Sequence, residues 1–296
     1  MKTNFPLPVG LLPALIVGGI VAANSQTIFS NIVVSANAEI YGAGNAGLPD
    51  SGGVLPVEID LPANPAVFSI VSVAGIITYN NGTGHNNADG LIISGGYYGP
   101  TITGTNGYSV ATEYGGISGI TMPGAGALVG VFAPAGAPTN NPPASLDFTA
   151  IETSFSTLSP ALYQTFFIGD GMTGDGSGTV QQFIVPADAT RLLLGLSDAY
   201  GFYGSPGAYD DNFGTFTVTF QVTSVSPVAI QSAQLSDTNI AFSFPTVANQ
   251  GYTILSTTNL ASGSWVTNST FIGDGNLKLI TLPATNSAEF FRIREP

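Results

Sequence analysis

From Ile28 onward, Gly, Pro and Asn cut the chain into apolar runs no longer than a β-strand, and no long stretch keeps a helical period. The runs include NIVVSANAEIYGAG (31–44), AVFSIVSVAGIITY (66–79), GALVGVFA (126–133) and QTFFIGDG (164–171). VQQFIVP (180–186), RLLLGLSDA (191–199) and GTFTVTFQV (214–222) continue the series. With 38 Gly and 20 Pro as punctuation, such spacing means short strands joined by tight turns, and so an all-β sandwich or barrel.

A hydrophobic fraction of 44% against 8% charged residues supplies a core and excludes disorder. Five Lys+Arg face 18 Asp+Glu, a formal net charge of −13. That balance excludes nucleic acid as a partner, which needs a basic footprint, and argues against anionic lipid. The absence of cysteine removes disulfides, thiol catalysis, Cys-ligated zinc and Fe–S clusters.

The opening MKTNFPLPVGLLPALIVGGIVAANSQT carries one early charge, Lys2, then an apolar run from Val9 to Ala23 and a small-x-small step at Ala23-Asn24-Ser25. Pro13 and Gly18-Gly19 make a poor strand, and the run is short for a membrane span. The expectation is a signal peptide over 1–25 and a secreted or surface-associated product with no transmembrane segment in the mature chain. A second boundary falls at VTSVSPVAIQSAQ (222–234), where the strand rhythm restarts. Residues 26–224 thus read as one β domain and 228–296 as a small Ig- or fibronectin-like β module, which holds Lys278, Arg292 and Arg294.

Catalytic patterns are thin. The single histidine, His85 in NNGTGHNNADG (80–90), has no G-x-S-x-G elbow to serve, and the glutamates are scattered without a paired motif. The chain therefore reads as a non-enzyme. The aspartates are concentrated instead: Asp170, Asp175, Asp188, Asp198, Asp210 and Asp211 fall within 42 residues, most beside glycine or in turns. Adjacent carboxylates repel unless neutralised, and with so few basic residues the counter-charge is a hard cation such as Ca²⁺ held by oxygen ligands. A solvated Asp/Asn/Gly turn is the alternative. GDGMTGDGSG (169–178) resembles no complete EF-hand or nonapeptide calcium repeat.

GAYDDNFGTFTV (207–218) resembles the closing signature of the calcium-dependent, galactose-binding bacterial lectins of the LecA (PA-I) type. VAGIITY (73–79), GALVGVFA and VQQFIVPADATRLLLGLSDA (180–199) are similar to further strands of that family, in the same order, over about residues 28–224. The resemblance implies a lectin-like sandwich of jelly-roll type. It also implies one Ca²⁺ held by the backbone oxygens of Tyr79 and Ala208 and the side chains of Asp198, Asp211 and Asn212. A carbohydrate would complete the coordination, so Asp198, Asp211 and Asn212 double as sugar contacts, with His85 and Asp89 as further candidates. Asp211 stands where the family has asparagine, and the longer loop AYGFYGSPG (199–207) brings Tyr200, Phe202 and Tyr203 as a stacking wall or a cover for the sheet edge. Two functions follow: a secreted glycan-binding protein, or a structural matrix or surface-assembly protein using the fold as a calcium-stapled, self-assembling brick.

Overall fold

Alternation at the strand period organises the largest sheet. In the strand Phe213–Ser224, Phe216, Val218, Phe220 and Val222 are buried, while Thr217, Thr219, Gln221 and Thr223 lie half-buried on the opposite face. The computed structural model describes residues 25–45, 52–79, 84–94, 97–99, 107–139, 141–224, 228, 230–236, 239–246, 251–283 and 289–294. The segment read as a signal peptide lies outside the described residues except for Ser25. The protein is all-β; among the described residues its helical pieces are the four-residue α-helix Phe148–Ile151 and short 3-10 turns.

Eight strands carry the argument: β1 (Ser25–Ser35), β2 (Val57–Asp60), β3 (Pro65–Tyr79), β4 (Leu128–Ala133), β5 (Thr165–Phe167), β6 (Gln182–Ile184), β7 (Arg191–Leu196) and β8 (Phe213–Ser224). One sheet runs β1–β8–β3 and continues through three short strands between Gly84 and Gly99, with β6 also paired to β3. A second sheet has the antiparallel order β5–β4–β7–β2. Every residue of β4 and all but Arg191 of β7 are buried, as continuous apolar runs require when both faces are covered. Rings join the two layers: Phe68 of β3 meets Phe132 of β4 edge-on at 6.2 Å, and Phe166 of β5 meets Phe183 of β6 at 5.4 Å.

β3 and β8 approach closely at two neighbouring glycines, Gly75 paired with Phe216 and Gly214 paired with Ile77. Gly75 and Gly214 have φ of 109° and 100°, and a Cβ on either would sit 2.3 Å from Thr215 O or 2.5 Å from Ile76 O respectively. Arg191, at the start of β7, is tied down completely. It donates to Glu58 Oε2 at 3.0 Å and to the carbonyls of Pro134 and Gly136 at 2.6 and 2.7 Å.

Contacts divide the chain into two compact units, one spanning Asn24–Val225 and one containing Ser226–Pro296. The second unit has two three-stranded antiparallel sheets, Ser232–Leu235/Asn239–Pro245/Leu277–Pro283 and Val266–Ile272/Gly251–Thr257/Phe290–Arg294. Phe242, Phe244, Tyr252, Ile254 and Ile280 form its own core. Arg292 lies over the Trp265 ring at 4.2 Å. Among the described residues no helix is long and apolar enough to cross a membrane.

Candidate functional site

The ends of three strands bring the predicted residues together. Register pairs Phe213 with Thr78, so Asn212 arrives opposite Tyr79 where β8 begins and β3 ends. Asp198 follows β7 by two residues, and its carbonyl accepts from Gly207 N at 3.2 Å, which closes the 199–207 loop. Ala208 then takes a left-handed conformation, φ 67° and ψ 24°, that turns the chain into the one-turn helix Tyr209–Asp211 and aims Asn212 inward.

Asp198 and Asn212 meet in the interior, 4% and 5% exposed. Asn212 Nδ2 donates to Asp198 Oδ2 at 3.0 Å and to Ala36 O at 3.3 Å, and Ala199 N donates to Asp198 Oδ1 at 2.7 Å. The other end of the amide, Asn212 Oδ1, is buried with no hydrogen-bond partner. A buried carbonyl oxygen without a donor is uncommon, and a water or cation is the usual resolution. Tyr79 contributes by its hydroxyl, which donates to Ser197 O at 2.6 Å. Asp211 is half-buried, and its charge acts on Asp198.

Three phenols that the sequence reading did not group brace this turn. Tyr79 holds Ser197 O, Tyr209 Oη donates to Leu196 O and accepts from Asp198 N, both at 3.0 Å, and Tyr41 Oη bonds Ser197 Oγ at 2.8 Å. All three tyrosines are fully buried, and burial raises each phenol above its ordinary range, so they stay neutral donors. The signal available in sequence was a tyrosine in or beside a strand-length apolar run, where a ring packs and its hydroxyl finds one polar partner.

The remaining two candidates lie elsewhere. His85 pairs with Thr78 across β3, in the same cross-strand row as Phe213, so it occupies the face of the sheet opposite to Tyr79 and Asn212. Asp89 joins Asp170 and Asp175, whose ligand oxygens all lie within 4.8 Å of one another. Asp89 Oδ1 accepts from Asp170 N at 2.9 Å, Asp170 accepts from Met172 N and Gly176 N at 2.8 and 2.6 Å, and Asn87 Nδ2 donates to Asp175 at 2.7 Å. Neither His85 nor Asp89 is therefore brought to the Asp198–Asn212 pair, because strand register sends one to the far face and a loop contact holds the other.

Space around Asp198 is limited. The cavity touching it, lined by Tyr79, Ser109, Ser197 and Phe202 among others, has a volume of ≈ 10 Å³. That admits one water-sized sphere, against the roughly 300–1,000 Å³ of small-molecule pockets. Phe202 stacks on Tyr79 with ring centroids 5.8 Å apart and covers the site.

Electrostatics fit a group that must be neutralised. Burial first, and then the charge of Asp211, push the Asp198 carboxyl up to about 8, against the pull of hydrogen bonds from Asn212, Ala199 and Tyr79. Asp89 is pushed up to about 7, again mainly by burial. In the cation-free protein both groups keep a proton that the unfolded chain releases above about pH 4. Unfolding thus releases protons between about pH 4 and 8, and stability falls as pH rises through that window, by at most about 1.4 kcal/mol per unit for each group. Urea unfolding with excess chelator is expected to show a lower midpoint at pH 8 than at pH 5. A flat or rising midpoint would contradict a buried, protonated Asp198.

Compared with protein-family models, with curated proteins and with solved structures, the chain matches none.

Proposed function

We propose that this is an exported, non-catalytic structural protein whose β-sandwich is stapled by a calcium ion at Asp198 and Asn212, and which serves as a unit of an extracellular or cell-surface assembly. The observation that carries the reading is the closed pair itself: a buried carboxylate beside a buried amide oxygen with no partner. Calcium asks for six to eight oxygens in flexible geometry. Asp198 and Asn212 would supply side-chain oxygens, with Asp211 and nearby backbone carbonyls as further donors, and the ion would replace the proton that burial otherwise keeps on Asp198. Such an ion adds stability rather than chemistry.

Closure favours this reading over a glycan held on the ion, because a sugar hydroxyl needs a coordination position open to solvent. One observation supports the second reading, a carbohydrate-binding protein: Tyr200 and Tyr203 of the 199–207 loop and the adjoining Phe213 are 60%, 54% and 57% exposed, a set of rings on which a sugar could stack.

Thermal unfolding with calcium, with chelator, and with calcium plus galactose separates these. Calcium is expected to raise the midpoint, Asp211→Ala to shrink that rise, and galactose to add nothing. A further rise with galactose transfers the conclusion to the glycan reading. If Asp211→Ala responds like the parent while Asp175→Asn does not respond, the ion belongs to the Asp89 cluster and the assignment fails.

A further inference from the structure

β1 is an edge strand of eleven residues, paired with β8 on one side and, among the described residues, with nothing on the other. At about 3.3 Å per residue it presents roughly 35 Å of backbone whose alternate N–H and C=O groups face outward. Of the devices that blunt such edges, SQTIFSNIVVS lacks lysine, proline and inward-pointing charge and carries only a β-bulge. Ile28 and Val33 are instead 60% and 55% exposed.

The surface beside the edge has the same character. β1, β8 and β3 contain no Asp, Glu, Lys or Arg. Their outward face is a neutral carpet of Thr, Ser, Gln, Val and Ile, cross-linked where Gln26 donates to Gln221 and Gln221 donates to Ser69 at 3.1 Å. In a chain of net charge −13, two copies repel wherever their acidic surfaces approach within the roughly 8 Å screening length. A stretch free of charge is where a second copy can come close.

We propose that β1 is a self-association edge, on which a second copy of this chain pairs its own β1 antiparallel about a two-fold axis and joins the two sheets into one. The partner is a second copy because an antiparallel edge is self-complementary: under the two-fold, each outward N–H meets an outward C=O of the same strand. The β-bulge between Phe29 and Ile32, with Asn31 at φ 58°, divides the edge into two segments, and either segment can pair without passing through Asn31. This deepens the assembly reading and rests on it for its purpose, but the contact uses no residue of the calcium site.

Sedimentation velocity of the purified protein over a concentration series, with calcium and with chelator, tests it. The parent is expected to dimerise in both. Ile28→Lys/Val33→Lys and Ile28→Glu/Val33→Glu, each checked for an unchanged circular dichroism spectrum, are each expected to associate at least tenfold more weakly. Mixed in equal amounts, the two variants are expected to recover the dimer, since the added charges on the two paired strands are then opposite in sign. Ser30→Lys, at another exposed position of the edge, serves if either pair misfolds. A monomeric parent, a lysine variant that associates like the parent, or a mixture that stays monomeric overturns the pairing. Dimerisation lost only with chelator would tie association to the ion and also overturn the independent edge, while leaving the calcium staple standing.

Discussion

Asp198→Ala is expected to abolish the rise in unfolding midpoint that calcium produces and to destabilise the protein even with chelator present. The Asp198 carboxyl group accepts from Asn212 Nδ2 and Ala199 N inside the fold. Alanine leaves Ala199 N and one N–H of the Asn212 amide, whose nitrogen keeps its bond to Ala36 O, buried without an acceptor, at about 1–3 kcal/mol each, offset in part because a desolvated carboxyl is no longer enclosed. At pH 7, where enclosing Asp198 already costs stability, a net loss of at most about 2 kcal/mol without calcium follows. With calcium at a hundred times its Kd the parent gains about 2.7 kcal/mol more, and the variant gains nothing. Urea unfolding at pH 7, with and without calcium, measures both parts. An Asp198→Ala protein that still responds to calcium like the parent would place the ion elsewhere, the cluster of Asp89, Asp170 and Asp175 being the next place to look.

Phe68→Ala is expected to cost about 3–5 kcal/mol, a large share of the roughly 5–15 kcal/mol that holds a domain together. Phe68 is fully buried, with Phe132, Phe183 and Phe220 at 6.2, 5.3 and 5.1 Å between ring centroids. It touches β4 in one layer and β6 and β8 in the other, so no single strand can shift to fill the space without pulling its ladder out of register. The urea midpoint should fall with an unchanged slope. A loss under 1 kcal/mol would mean that the layers collapse onto the gap.

Much of the fold was legible because two-residue periodicity maps directly onto a sheet with one wet face. The run Gly214–Val222 lies wholly within β8, and its apolar positions are the buried ones. GALVGVFA could be read as a strand but not placed, since an unbroken apolar run gives no face; burial on both sides explains why its alternation is missing. Of the site, the meeting of Asp198 with Asn212 was implied by the resemblance, and the structure has them in contact. The second acidic cluster was not legible, although its members had all been noted. Asp89 lies 81 residues before Asp170, and contacts between the two loops, Asp170 N to Asp89 and Asn87 to Asp175, bring the segments together. His85 was drawn toward the site by its loop, yet the side on which a strand residue emerges depends on register, and one step of register reverses it. The tyrosine brace escaped notice because each ring, taken singly, is an ordinary core residue.

Arg191 has a consequence for resistance to proteolysis. Between Lys2 and Lys278 it is the chain's only lysine or arginine. A trypsin-like protease therefore finds a single scissile bond in that whole span, Arg191–Leu192. The bond lies in β7 between β4 and β2, with the guanidinium already gripped by two carbonyls and Glu58. Cutting there requires the sheet to open, so the nicking rate follows global unfolding rather than loop motion. Whatever raises the unfolding free energy slows this cut about tenfold for each ~1.4 kcal/mol it adds.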